Sequence, residues 1–407
     1  MAHVIVVGCG NIGSHLIPHL GRLQAVDRVT LIDRDRFEAR NMTNQAIEPR
    51  DIGKAKSRVL AARLRHIRRD LQVDAIAAPI ENVPLGLMRG DLILGCLDSR
   101  IARMRLNQSA WRLGVPWIDA GVRADGMLVR VHAYLPGESQ PCLECAWSDR
   151  DYQSLEVSYP CAGTGGNPAP TNASSGLGAL AASLQIIAAQ KYLAGQADQV
   201  QFGRQVLIDA AHHKHYLTAC RRNPRCRFDH EVWRIEKLNA DQSRLTLGDA
   251  LQMAAHGPGQ VEHTWLEVEG RPFTKRLLCP GCGHSKHIMR LFASLSEKAS
   301  GCALCGQKMS APGWNLAETL SDRLPSRALR RSLRSLGLRN GEVFTVGGPS
   351  GERHFEIVQD CRKRAVVRAA ASQGSSAAET RLEEILNQSA AESAALLEAY
   401  AAYPGYE

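Results

Sequence analysis

The sequence predicts an α/β protein: a Rossmann-like, doubly wound sheet first, then a small zinc ribbon and a C-terminal α+β region ending in a helix. Three observations carry this. Apolar runs of strand length alternate with helical segments from His3 to Asp98. A glycine turn, "GCGNIGS" (Gly8 to Ser14), follows the first run directly. Two CxxC pairs stand 19 residues apart in the second half.

The strands read in order are "HVIVV" (3–7), "RVTLID" (28–33), "VDAIAA" (73–78) and "DLILGCLD" (91–98). Their continuous apolar character suits parallel strands covered on both faces. A strand, a glycine turn and a helix form a phosphate cradle, because glycine lets the backbone approach the anion and the helix start directs N–H groups at it. Asp33 stands 20 residues after Gly13, where an acidic side chain takes a ribose hydroxyl. These features alone leave NAD and ATP both open.

Composition narrows the classes. The 407 residues suffice for two or three domains, and 44% hydrophobic with 22% charged residues is ordinary for a globular chain. No apolar run reaches the length of a membrane span, and the first strand at His3 argues against a signal peptide. Twelve cysteines, half of them in CxxC pairs, point to metal or thiol chemistry in a reducing cytoplasm. The net charge of +9 is uneven. Lys54 to Arg69 holds seven Lys or Arg and no acid; Ser321 to Asn340 holds six Arg against one Asp. Such runs bind nucleic acid or an acidic partner, or are solvated helix faces. Leu60, Leu64, Ile67 and Leu71 recur at helical spacing within the first.

"DRDRFEARNMTNQAIEPRDIGKAKSR" places Asp33, Asp35, Asn41, Gln45, Asp51, Ile52, Gly53 and Lys56 in a recognisable order. It resembles the activating-enzyme family of ThiF, MoeB, HesA and the ubiquitin-activating enzymes, with its D-x-D, N-L-x-R-Q and D-[IV]-G-x-x-K motifs. "GCLDS" matches the family's [CA]-x-D-[NS] turn at Asp98, Arg103 and Asn107 follow at the usual offsets, and "GVPWIDAGVRADGMLVRV" resembles the next strand pair. The resemblance covers roughly Ala2 to His230.

The resemblance implies that the cradle of Gly8, Gly10, Asn11 and Gly13, with Asp35 beside it, holds ATP. Asp33 takes the ribose, Lys56 contacts the phosphates, Asn41 and Gln45 support the phosphate side, and Asp98 holds Mg²⁺. The implied reaction is adenylation of the C-terminal carboxylate of a ubiquitin-like β-grasp protein ending in Gly. Two departures stand out. Asn44 occupies the place of the family's Arg, with Arg34, Arg36, Arg40 or Arg50 as candidate replacements. The family's N-terminal helix, which lends an Arg to the neighbouring subunit, is not matched here, so partner chains in a homodimer are the other expected source of cations.

"PCLEC" supplies Cys142 and Cys145, one zinc knuckle. In the family a second pair follows the sheet; here "RRNPRCRFDH" has Cys226, Asp229 in the place of the second Cys, and His230. A Cys3His zinc site is expected, with Cys220 as a spare ligand and redox-active thiols as the alternative. "CPGC" (Cys279, Cys282) and "CALC" (Cys302, Cys305), each followed by glycine, form a four-thiolate zinc ribbon with a structural, docking role.

"SYPCAGTGGNPAPTNASSG" (Ser158 to Gly176) lies in an expected crossover loop over 151–176. In the family this region carries the thioester cysteine, so Cys161 is the candidate nucleophile, with transfer onward to a conjugating enzyme. Cys9, Cys96 and Cys361 look structural. Expected boundaries are 1–232 for the adenylation domain, 233–312 for linker and ribbon, and 313–407 for a C-terminal region. That region has a hairpin from "GEVFTV" and "RHFEIV" and a partner-docked helix over Ser376 to Tyr400. Two alternatives compete with the thioester enzyme: an adenylyltransferase for a sulfur carrier or small molecule, and a non-catalytic zinc-ribbon nucleic-acid adaptor. Lys56 and Asp98 together weigh against the adaptor and against a nucleic-acid partner.

Overall fold

Strands β1 (Ala2–Val7), β2 (Val26–Ile32), β3 (Gln72–Ile76), β4 (Leu92–Gly95) and β5 (Trp117–Arg123) pair in parallel in the spatial order β3-β2-β1-β4-β5. Strands β6 (Leu128–Tyr134), β7 (Arg204–Asp209) and β8 (Lys214–Ala219) extend this sheet antiparallel. The structure, a computed structural model, describes residues 1–153, 155, 173–239, 241–254, 263–295, 300–349 and 351–358. Cys161, Cys361 and the Ser376–Tyr400 helix therefore lie outside the described residues.

Both faces of the parallel part of the sheet are covered at β1 and β4, which is why these strands read as unbroken apolar runs, whereas β8 at the antiparallel edge is exposed along its length. Helices α1 (Asn11–Leu20) and α2 (Lys56–Ile67) pack on one face with Val4, Val6, Leu16, Leu60 and Leu64. Ile5 and Val7, pointing the other way, meet Leu106 and Trp111 of α3 (Arg100–Leu113). After the short α4 (Asp149–Gln153) comes α5 (Ser175–Leu193), whose small residues Gly178, Ala181, Ala182 and Ala189 let it approach closely. Its one buried polar side chain, Gln185, donates to the carbonyls of Gly95 at 3.1 Å and Ile118 at 2.7 Å. Leu71 lies beyond the end of α2, and Asp33 beyond the end of β2, because both fall in the turns that follow.

Order reversal between β1 and β4 opens a crevice at their carboxyl ends, the switch point where ligands bind in doubly wound sheets. The GCGNIGS turn leaves β1 there, and Asp98 follows β4 there.

The second half is more structured than expected. Asp241 to Pro272, read as a linker, contains α6 (Leu247–Gln252) and β10 (Trp265–Glu267). With β9 (Ile235–Leu238), β14 (Thr319–Ser321), β15 (Val343–Gly348) and β16 (Gly351–Ile357), β10 builds a five-stranded sheet ordered β14-β10-β15-β16-β9. This sheet crosses residue 312. A three-residue strand has no readable period, so only its partners reveal it. The β15–β16 hairpin pairs Val343 with Glu356. Between these strands, β11 (Phe273–Leu278), β12 (Ser285–Leu291) and β13 (Leu316–Ala317) form a small sheet carrying the CPGC pair, and α7 (Ser326–Leu329) follows β14. A separate core of Leu266, Phe273, Leu291, Leu333, Phe344 and Phe355 holds this half together. Ion pairs join it to the first sheet: Arg89 to Glu356 at 2.7 Å, and Arg112 to Glu269 at 2.7 Å. Among the described residues no helix is long and apolar enough to cross a membrane.

Candidate nucleotide cleft and metal centres

The three glycines of the turn act differently. Gly8 has φ +97, and a Cβ there would strike the Cys96 carbonyl. A Cβ on Gly13 would strike the Gly8 carbonyl, so its absence lets α1 pack against the turn. Among the described residues nothing lies within 4 Å of a Cβ on Gly10, which leaves the turn open to them on the side a phosphate would approach. Asn11 donates to the carbonyls of Ala173 at 3.0 Å and Ser174 at 3.2 Å, tying the turn to the start of α5.

Asp33 is brought to this turn: its carboxylate accepts the N–H of Cys9 at 2.6 Å and of Asp35 at 2.7 Å. Burial raises its pKa, and those two N–H groups and Lys56 oppose the rise. Lys56, buried at the start of α2, points its Nζ at Asp35 Oδ2, 3.4 Å away, and over the Phe37 ring. Asp33, Asp35 and Lys56 thus converge beside the open face of Gly10. Asp98 is exposed at the end of β4; the helix N-cap that follows is Ser99, not Asp98, because Ser99 Oγ is the atom that accepts the Ala102 N–H. Asn41 is spent locally, its Oδ1 accepting the Glu38 N–H at 2.9 Å. Gln45 and Asn44 keep buried amide oxygens without a partner among the described residues.

Each of the four candidate replacement arginines has another protein partner. Arg34 pairs with Asp35, Arg40 with Glu38 and Arg50 with Glu48, while Arg36 donates to the Gly53 carbonyl. Asn44 itself donates to Ala173 O at 3.4 Å. Cys9 and Cys96 are buried, and burial pushes both thiols up.

Two sets of soft ligands come together. In each, the four donor atoms lie within 4.8 Å of one another. A tetrahedral zinc with Zn–S bonds of about 2.3 Å sets its sulfurs about 3.8 Å apart. Cys142 and Cys226 are 3.8 Å apart, and Cys145 Sγ is 3.5 Å from His230 Nε2. The ribbon sulfurs are 3.3 Å (Cys279–Cys305) and 3.6 Å (Cys282–Cys302) apart. Both sets therefore fit a structural zinc ion. Cys220 is not among the donors. His230 Nδ1 bonds to the Gln140 carbonyl at 3.1 Å, which leaves Nε2 as the ligating nitrogen. In the ribbon, Gly283 and Gly306 take positive φ and donate to the carbonyls of Cys279 and Cys302, so both knuckles turn alike. Backbone N–H groups of Cys282 and Gly281 bring the Cys279 thiol down to about 6.

Arg112 is the side chain that sequence reasoning missed. It forks onto Asp229 at 2.6 and 2.8 Å, reaches Glu269 at 2.7 and 3.0 Å, and lies over the rings of Phe228 and Trp233. Burial works against its charge, but Asp229 and Glu269 outweigh it and hold its pKa above the ordinary value. Asp229, where the family has cysteine, is thus the partner of a buried arginine. Nothing local to Arg112 signals this. Asn107 is structural in a comparable way, accepting the Leu143 N–H at 3.1 Å and donating to Glu144, which fixes the CLEC turn.

A glycine cradle at the switch point, an acid at the end of the second strand and a buried lysine beside them define a nucleotide-binding doubly wound α/β protein. The chain belongs to the ThiF family, which it matches over residues 1–228. It is 31% identical over 156 residues to ubiquitin-like modifier-activating enzyme 5 of Dictyostelium discoideum, covering 35% of this chain and 40% of that protein. To the protein of the same name from Mus musculus it is 30% identical over 157 residues, covering 35% and 38%. The chain thus spans less than half the length of these relatives. It is also similar to the structure of E. coli MccB with ATP, at 23% identity and a TM-score of 0.46, over 56% of this chain and 66% of that one.

Proposed function

We propose that the protein adenylates the C-terminal carboxylate of a ubiquitin-like protein at the expense of ATP. The observation that carries this reading is the open face of Gly10 between two close-packed glycines, with Asp33 and Lys56 converging beside it. The carboxylate oxygen attacks the α-phosphorus, the bond to the bridging oxygen breaks, and pyrophosphate leaves with the negative charge. Two anions meet in this step. Lys56 neutralises the phosphates, its buried position making each unit of charge count for more than at the surface. Asp33 orients the nucleoside through the ribose. Asp98, an exposed carboxylate at the crevice, would hold Mg²⁺, which supplies charge neutralisation at the leaving pyrophosphate.

A second step belongs to the same reading: the Cys161 thiolate attacks the adenylate carbonyl and AMP leaves, giving a thioester for a conjugating enzyme. It rests on the family resemblance of the segment around Cys161. The relatives named for ubiquitin-like modifier activation support the choice of substrate. The MoeB-like alternative, handing on the adenylate itself, lacks only this second step.

Pyrophosphate exchange into ATP in the presence of the carrier tests the reading. Wild type exchanges, Lys56→Ala loses about 100-fold, and Asp98→Ala abolishes exchange while both zinc ions stay bound. Cys161→Ser keeps exchange but loses a reductant-sensitive adduct. Equal exchange by wild type and Asp98→Ala would defeat adenylation at this cleft.

A further inference from the structure

The two basic runs of the sequence end differently. In the first, Lys56 pairs with Asp35, Arg63 with Asp51, and Arg65 and Arg68 donate to the carbonyls of Val73 and Leu23. Most of that charge is used to hold α2 in place. In the second run, Arg330, Arg334 and Arg339 are exposed, and Arg331 is half-buried. Arg331 donates to Ile288 O at 2.7 Å and Ser335 O at 3.2 Å, and the Leu291 N–H donates to Leu336 O. These bonds lay the arginine segment along β12, which contributes Arg290. None of these five guanidinium groups has an ion-pair partner among the described residues.

The cations also crowd one another. Burial and then Arg339 lower the pKa of Arg290; burial and then Arg290 lower that of Arg331. Glu342, which Arg339 influences electrostatically, is buried and bonded to Arg271. The ribbon thiolates offer no local compensation, since Arg290 is five residues, roughly 17 Å of strand, beyond the knuckle end of β12. At the far end of β12, two residues after Arg290 in the chain, Phe292 is exposed. Like-charged groups held together without a counter-charge make a site for a polyanion.

We propose that this face, β12 with the segment 330–339, binds a single-stranded nucleic acid. Its phosphates sit on Arg290, Arg330, Arg334 and Arg339, and a base stacks on Phe292. Protein interfaces centre on an apolar, charge-depleted core, whereas here the exposed residues are arginines with one aromatic ring next to them in the chain, the composition of a phosphate track with a stacking platform. The inference is independent of adenylation and uses none of the cleft residues.

Fluorescence anisotropy of the zinc-loaded full chain with a fluorescein-labelled 20-mer of thymidine, titrated across salt, tests it. The expected log–log salt slope is about −3, as four contacts on a single strand give. The double variant Arg334→Glu, Arg339→Glu should weaken binding at least ~10-fold, and Phe292→Ala about 5-fold. Zinc content and pyrophosphate exchange should be unchanged in both. Absent or salt-independent binding would overturn the proposal. So would Arg58→Glu on α2 with Arg69→Glu just beyond it removing the binding that the ribbon-face double variant retains. A poly-glutamate peptide displacing the oligonucleotide at lower charge concentration would also overturn it, in favour of an acidic protein partner.

Discussion

The two cysteine sets have similar donors and opposite surroundings. Cys142, Cys145 and His230 are buried, and the rings of Trp111 and Phe228 pack against the histidine. In the second set, Cys282 and Cys305 are exposed, and Cys279 and Cys302 share a small core with Leu277 and Met309, against which the partly buried Ile288, Leu295 and Ala311 pack. The first set also sits on the chain that joins the two sheets. Cys226 and His230 bracket Asp229, which holds Arg112, and Trp233 just beyond stacks on His354 of β16 at 4.0 Å. Equal ligand chemistry thus has unequal structural weight: one ion would brace an interface, the other only its own hairpin.

The largest expected effect breaks that asymmetry directly. Cys226→Ser should remove one of two zinc ions and lower stability by about 3 kcal/mol or more, a Tm fall of ~6–12 °C for a domain of this size. Cys279→Ser should remove the other ion and leave the main transition within ~2 °C, with new proteolysis confined to the ribbon. Metal analysis with calorimetry reads both. Equal Tm losses would mean that burial does not set the weight of a site.

A smaller effect sharpens the same point without touching a ligand. Arg112→Lys keeps the charge but cannot serve Asp229 and Glu269 together, and should cost about 2 kcal/mol by denaturant unfolding. A change within ~0.5 kcal/mol would show the fork to be incidental.

The smallest concerns pH at the same joint. Burial and then Arg112 lower His354 to about 4, and its Nδ1 contacts Thr345 Oγ1 at 2.9 Å. A histidine depressed in the folded state is stabilising above its unfolded pKa of about 6.5. That contribution is lost as pH falls toward 4. Burial and then Arg130 likewise lower His132, to about 3. Stability should therefore decline from pH 6.5 to 4, and less steeply in His354→Gln. An identical slope in the variant would remove His354 from the cause.

Much of the nucleotide cleft is legible in the sequence because its parts are local. Gly8, Gly10 and Gly13 lie within one turn, and Asp33 and Lys56 directly follow or open elements whose period is plain. The clustering of Cys279, Cys282, Cys302 and Cys305 is legible for the same reason, since each CxxC closes within one turn. Asn44 is less so: its spacing marks a missing cation, but only packing shows that it reaches Ala173 and which partners the four nearby arginines take. The five-stranded sheet was not legible. β10 and β14 are three residues each, and such strands exist through their partners, which lie tens of residues away.

By itself the sequence determined what short-range geometry dictates: the alternating elements of the first half, the glycine turn, the family, and the residue types at the cleft and both cysteine sets. Tertiary structure decided what charge and polarity are for. It spent most cations of the first basic run on carbonyls and carboxylates, while Arg290, Arg330, Arg331, Arg334 and Arg339 form no ion pair among the described residues. It also turned Asp229, a departure from a metal motif, into the partner of Arg112 more than a hundred residues away. The physical reason is the same in each case. A charged side chain's role is set by whether a partner is within reach and water excluded, and both are properties of three-dimensional proximity that spacing along the chain does not encode.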